Sequence, residues 1–218
     1  PLLLAFRSQV AEYGVDLSFD DRYADLVQEG FDVAIRFGEL EDSQLIARHV
    51  GSSSRVCVAS PSYLSKHGIP QVPNDLKNHN CITYTHLFSS VWPLRDAKGL
   101  LSTKVSGNFR ANSGYAIRDA ILNGVGVALV PSLLVKEQIE SGIVVPILND
   151  YAPDPIKISA VYPSNRLISR KVKLFVDFMK EEFLKIPLLH PLTPLRPVPR
   201  LRSKPAVVVE AGGSRTDH

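Results

Sequence analysis

The chain has no apolar run approaching the ~20 residues that a membrane span requires, and its opening, PLLLAFRSQVAEYG, lacks the basic start and small-residue cleavage site of a secretory signal. No membrane role and no secretion are expected, so the reading is of a cytoplasmic protein. Cysteine is scarce. Cys57 in RVCVAS and Cys81 in HNCITY sit inside strand-like runs without metal-type spacing, and read as buried thiols in a reducing compartment, not as a disulfide. Six histidines, at 49, 67, 79, 86, 190 and 218, form no HExxH or His-Cys grouping, so no metal and no other cofactor is expected. The serines of GSSSR and NSGY lack the GxSxG strand-turn-helix frame. They read as a surface turn and a helix cap, and no acid, base or nucleophile set converges on an enzyme.

What is present is ordinary for a globular chain: 218 residues, 44% hydrophobic and 22% charged, enough for one large or two small domains with a full core. The net charge of +3 is unevenly placed. Residues 187–218 hold five Lys and Arg against two acidic residues, and the body is balanced. The same stretch carries six of the sixteen prolines and ends in Gly and polar residues, so it reads as a disordered extension. A basic arm for nucleic acid is the sharper alternative, but the arginines are sparse and lack aromatic interleaving.

The body alternates strand and helix signals. VDLSF (15–19) reads as a strand, followed by a helix capped by Asp20 or Asp21, with Tyr23, Leu26 and Val27 on one face and Gly30 closing it. FDVAIRFG is the next strand, with Val33, Ile35 and Phe37 on one face. LIARHVGSSSRVCVAS reads as two strands joined around GSSS, and Pro61 starts a helical turn running through His67. VPNDLKNH is another short turn, and NCITY, VWPL and KVSGNF carry strand signals. The stretch NSGYAIRDAILNGVGVALVP is a helix that opens on polar residues, closes on glycines and enters an apolar strand. A second helix spans Ser132 to about Glu140, then come GIVVPIL and the strand IKISAVYP. Ser169 caps a last helix with Val172, Phe175, Val176, Met179 and Phe183 as its apolar stripe.

Such alternation predicts an α/β fold with helices on both faces of mainly parallel sheets. Ligand sites of these sheets lie beyond the carboxyl ends of the strands, where helix amino ends present N–H groups. Asn112 then caps the helix while Ser113, Gly114 and Tyr115 face the crevice, and the dipole favours an anion there. Gly124 and Gly126 read as the helix end and the tight turn after it. Arg36, near the carboxyl end of an apolar strand, either clamps a carboxylate or pairs with Glu39, Glu41 or Asp42. Arg118 reads as part of the solvated face. His86 and Trp92 follow the strand run NCITY, His86 as a hydrogen-bonding wall and Trp92 as stacking surface or as core.

The blocks YADLVQEGFDVAIRFGELEDSQLIARHVGSSSRVCVASPSYLSKHGIPQVPNDLKNHNCITY, ANSGYAIRDAILNGVGVALVPSLLVKEQIESGIVVPIL and ISAVYPSNRLISRKVKLFVDFMKEEF resemble the effector-binding domain of LysR-type transcriptional regulators, over about residues 1 to 184. The resemblance implies a type 2 periplasmic-binding-protein-like fold: two α/β subdomains joined by two crossover strands, with a small-molecule inducer in the cleft. Subdomain one is expected over 1–84 plus 159–186 and subdomain two over 85–158. Against the family pattern the sequence starts inside the domain's first helix, after the helix-turn-helix, the linker helix and the first strand. DNA contact is therefore expected only through a helix-turn-helix outside these residues. The candidate effector contacts are Asp21, Arg36, Gly38, His86, Asn112, Ser113, Gly114, Tyr115 and Pro131. The expected partners are a small organic anion as inducer and further copies of the chain, as a homodimer or homotetramer. Ligand sensing for transcription thus stands first, ahead of a solute-binding protein of the same fold and of an enzyme built on it.

Overall fold

In the computed structural model the described residues are 6, 14–18, 25–40, 45–85, 90–164 and 169–185. Among them ten strands fall into two sheets and a hairpin. The first sheet is antiparallel, with β10 (Ile156–Pro163) between β1 (Ala34–Phe37) and β2 (Leu45–Ser53). Phe37 stands opposite Ile158 and Ser53 opposite Ile156, with a bulge between Ile158 and Ser159. The second sheet is mixed. Its order is β7 (Arg110–Ala111), β4 (Cys81–Tyr84), β8 (Val127–Pro131), β3 (Arg55–Ala59) and β9 (Val145–Ile147). β4 runs parallel to β7 and β8, and β3 antiparallel to β8 and β9. β5 (Val91–Asp96) and β6 (Gly99–Lys104) form the hairpin.

The strand pairing moves the expected subdomain boundaries. β3 and β4 were assigned to the first subdomain, but they pair with β8 and β9, and β10 is already in the first sheet from Ile156. The chain therefore passes from one sheet to the other at Ser54, and returns between Ile147 and Ile156. The expectation of mainly parallel strands also fails, because only the two β4 pairings are parallel. Alternation of elements along a chain does not fix strand direction when the chain crosses between two sheets.

Local chemistry sets most of the element ends. Helix α1 (Pro61–His67) starts at Ser60, whose hydroxyl accepts from the Tyr63 N–H at 3.3 Å, with proline at the first position and Lys66 and His67 in its last turn. Helix α4 (Arg170–Lys185) buries Val172, Val176, Met179 and Phe183 against β2 and β10, with Phe175 half-buried beside them. The expected strand at 15–19 is irregular over 15–18, where Leu17 is 51% exposed and no strand among the described residues supplies a ladder. Residue 19 and Asp20, Asp21 and Tyr23 lie outside the described residues. The expected helix after them is a turn over 26–30 among those described. Asp25 holds it by accepting from the Val27 and Gln28 N–H groups at 3.0 and 3.1 Å, and Gly30 closes it at φ +74°.

The second sheet carries a core on each face. Val56, Val58, Ile82, Ala128 and Val130 pack on Ile117 and Ile121 of helix α2 (Gly114–Leu122). On the other face Cys57, Cys81, Val127 and Leu129 meet Tyr63, Leu76, Trp92 and Leu94. Each fully buried side chain of this size contributes roughly 1.5–3 kcal/mol through lost water contact. Trp92 is thus core, at 0% exposure, not a stacking surface. KVSGNF forms no strand beyond Lys104, yet it runs beside β4: the Cys81 and Thr83 N–H groups donate to Ser106 and Phe109. Val135 begins the link from the 3-10 turn Ser132–Val135 to helix α3 (Lys136–Glu140). Among the described residues no helix is long and apolar enough to cross a membrane.

Candidate functional site

The carboxyl ends of β4, β7 and β8 share one edge of the second sheet, because they run parallel, and the amino end of α2 follows β7 there. The helix begins one residue later than expected. Ser113 is its N-cap, with φ −118° and ψ 126°, and makes no side-chain capping bond; Asn112 is exposed and precedes it. The first helical residues are consequently Gly114, Tyr115 and Ala116. Gly114 lies against its neighbours: a methyl there would make ordinary contact, 3.6 Å from the Tyr84 hydroxyl and 3.4 Å from Leu134. Tyr115 points outward at 62% exposure, with the Arg118 guanidinium 5.2 Å from its ring centroid. Arg118 is less solvated than expected, its side chain 30% exposed and 3.8 Å from Asp119.

The same edge meets the first sheet through the crossovers. Arg55 is opposite Pro131, a buried residue at the end of β8, and Ser53 is opposite Ile156. Next along that line, the Gly38 N–H donates to the Lys157 carbonyl at 2.9 Å, with Gly38 at φ +102°, a conformation open to glycine. Strand register therefore puts Gly38 and Pro131 at two ends of one run of paired residues. Phe37 packs on both the first-sheet core and the second, and Leu133, just after β8, reaches the first-sheet core. Arg36, opposite Ser159, is half-buried on the other side of β1 from Phe37. Of its expected acidic partners Glu39 pairs instead with Lys157 at 3.3 Å, and Glu41 and Asp42 lie outside the described residues. Asp21 and His86 lie outside them too.

Two polar ties at the crossovers escaped the sequence reading. The Ser54 and Ser132 hydroxyls are hydrogen bonded at 2.7 Å, and the Ser132 N–H donates to the Ser54 carbonyl at 2.9 Å. GSSSR is thus not a surface turn: Ser53 is fully buried. The second tie joins the two crossovers. Arg55 Nε donates to the Asp154 carbonyl at 2.6 Å, and the Asp154 carboxylate takes Arg95 of the hairpin at 2.5 Å. Burial lowers the Arg55 pKa from its ordinary value, and Asp154 works against that. The only sequence signal for either tie was position, since Ser54 and Arg55 stand where one strand run stops and the next begins. Thr85 Oγ1 donates to the Ala111 carbonyl at 3.1 Å and accepts from Arg110 Nε at 3.3 Å, tying the end of β4 to β7 just before the helix.

Residues 1–184 match the family model of the LysR substrate binding domain. The chain belongs to that family. It is 35% identical over 184 residues to the HTH-type transcriptional regulator CrgA of Neisseria meningitidis serogroup C (strain 8013), covering 84% of this chain and 61% of that protein. It is likewise 35% identical over 186 residues to the HTH-type transcriptional regulator DmlR of Escherichia coli (strain K12), covering 84% and 60%. The chain thus spans about three-fifths of the length of these curated relatives. Among solved structures, the CrgA regulatory domain from Neisseria meningitidis superposes with a TM-score of 0.75 at 34% identity, over 84% of this chain and 90% of that one. The regulatory domain of AphB in Vibrio vulnificus gives 0.68 at 33% identity over the same shares. The LysR-type domain is therefore a regulatory domain with a periplasmic-binding-protein-like α/β fold, and its relatives are transcriptional regulators, not enzymes.

Proposed function

We propose that this LysR-type domain senses a small organic anion and holds the copies of a DNA-binding transcriptional regulator together. The charge of the effector sits at the amino end of α2, against Ser113, Gly114 and Tyr115. Gly38, Arg36 and Pro131 form the walls, and Asp21 and His86 stay candidate contacts by sequence alone; Asn112 lies just outside the helix. The observation that carries the reading is that amino end, with no side-chain cap from Ser113, at the edge of the second sheet where the carboxyl ends of β4, β7 and β8 lie. A helix dipole favours an anion there.

Signal transmission follows from a difference in effector affinity between two arrangements of the sheets. The groups that would feel such a change are the Ser54–Ser132 and Arg55–Asp154 ties, with Phe37 and Leu133 packed across the junction. Contact with DNA belongs to a helix-turn-helix of the whole regulator, acting in the cytoplasm. The domain is not an enzyme in this reading. It self-associates as a homodimer or homotetramer, so a clean monomer on sedimentation at micromolar concentration contradicts that part.

A thermal-shift screen of aromatic and aliphatic carboxylates beside their neutral amides tests the effector class. A ligand at about 100 times its Kd stabilises by about 2.7 kcal/mol, a readable shift. The reading expects acids to raise Tm and amides to do nothing. Amides as effective as their acids would contradict it.

A further inference from the structure

Asn80 ties both ends of the segment that carries α2. Its side-chain Nδ2 donates to Asn108 Oδ1 at 2.8 Å and to the Val125 carbonyl at 2.7 Å, and its Oδ1 accepts from the Asn108 N–H at 2.9 Å. Its carbonyl accepts from the Val127 N–H at 2.9 Å. Asn108 leads into β7 and the amino end of α2, while Val125 follows the carboxyl end of the helix.

The remaining polar group of Asn80, its own N–H, donates to the Tyr63 hydroxyl at 2.9 Å. That hydroxyl lies 3.3 Å from Nδ1 of His79, and both side chains are buried, at 3% and 8% exposure. A Tyr63 hydroxyl that accepts from the Asn80 N–H and donates to Nδ1 goes with a neutral His79 ring whose proton is on Nε2.

The groups facing His79 and its partner are Tyr63 and His67 of α1, Asp75 and Lys77 of the 3-10 turn Pro73–Asn78, and Cys81 of β4. His67 stacks on Tyr63 with ring centroids 4.5 Å apart. The Asp75 carboxylate is already taken by the Gln71 and Val72 N–H groups, at 2.9 and 3.1 Å. The Cys81 thiol is pushed up to about 12 by burial and stays neutral. Burial first, and His67 second, hold His79 below the ordinary imidazole range. A proton on Nδ1 leaves the Tyr63 O–H without an acceptor and places a cation in a buried pocket.

We propose that His79 is an acid-sensitive pin for α2: its neutral ring keeps the Tyr63–Asn80 knot that fixes both ends of the helix, and its protonation loosens that helix. This regulation rests on reading α2 as the effector helix. The released state takes up the proton more readily, because its imidazole returns toward the ordinary value of about 6.5. The hold on α2 is therefore complete above about pH 6.5 and is lost as pH falls through the lower value of the folded state.

Hydrogen exchange on the full 218-residue chain from about pH 7.5 to about pH 5, with rates divided by the intrinsic amide rates at each pH, tests this without any effector. The expected result is an approximately tenfold or larger loss of protection toward low pH in residues 114–127, with α4 unchanged. His79→Gln keeps an acceptor oxygen and cannot titrate, so it should flatten the profile. If that variant does not fold, Tyr63→Phe removes the coupling hydroxyl and should flatten it as well. His67→Gln should keep the loss and move it to higher pH. Loss of protection spread evenly over the chain, or an unchanged dip in His79→Gln or Tyr63→Phe, would overturn the proposal. A flat wild-type profile overturns the acid switch alone and leaves the effector reading standing, whereas failure of carboxylates to bind removes the effector reading and leaves the exchange result intact.

Discussion

Replacing Gly126 by alanine should unfold a large part of this domain's stability margin. A Cβ built there lies 2.1 Å from the Asn80 carbonyl oxygen and 3.0 Å from its carbon, both backbone atoms that cannot turn aside. Relief to an ordinary contact needs a separation of about 1 Å between the ends of β4 and β8, in a core packed too densely to absorb it. That movement breaks the Val127 N–H to Asn80 carbonyl bond of 2.9 Å. Leaving such a buried pair unmade costs about 1–3 kcal/mol, and overpacking adds about 1–3 kcal/mol. The expected loss is about 2–6 kcal/mol, against a total of roughly 5–15 kcal/mol for a typical domain. Urea unfolding followed by fluorescence is the assay, since Trp92 is the chain's single tryptophan and is fully buried. Gly14→Ala, where a methyl meets nothing within 4 Å, is the neutral control. A Gly126→Ala stability within about 0.5 kcal/mol of wild type would refute the reasoning, because surface changes alone reach that size.

The two thiols should be unreactive in the folded chain: burial raises both pKa values, that of Cys81 to about 12, so a disulfide-exchange reagent at about pH 8 should titrate none in native protein and both in denaturant. Fast native reaction of either would show that the β3–β4–β8 core opens. The Ser54–Ser132 bond should give a coupling of about 0.5–1.5 kcal/mol in a double-mutant cycle with alanine at each position, and a coupling near zero would make the junction tie incidental.

The strands and helices that were legible are those whose own residues decide them. Pro61 announces α1, the Val172–Phe183 stripe announces α4, and the apolar runs at 45–59 and 156–163 became strands with nearly the expected limits. What failed depended on partners distant in sequence. VDLSF has strand composition but no ladder among the described residues, and GSSSR has turn composition but its residues 51–53 pair with β10, while Ser54 is tied to Ser132. Gly124 is the left-handed helix end that was expected, at φ +71°, whereas Gly126 is required by the approach of β4, which no local pattern encodes. At the candidate site the helix amino end was legible to within one residue. The Arg55–Asp154–Arg95 tie was not, because its three members come from three separate elements.

Calorimetric titration of wild type and Ser113→Asp with a small organic carboxylate is the most direct test of the effector site. Ser113 already has N-cap backbone angles, so aspartate fits without strain and should leave folding unchanged or improved by about 0.5–1 kcal/mol, through capping and the dipole. Its carboxylate takes the N–H groups and repels the ligand, which should weaken binding by about 1–3 kcal/mol, or tenfold and more. Stability held or raised, with affinity lowered, is the expected pair of results. Equal affinity of the two proteins for the same carboxylate would contradict the account and place the ligand away from α2.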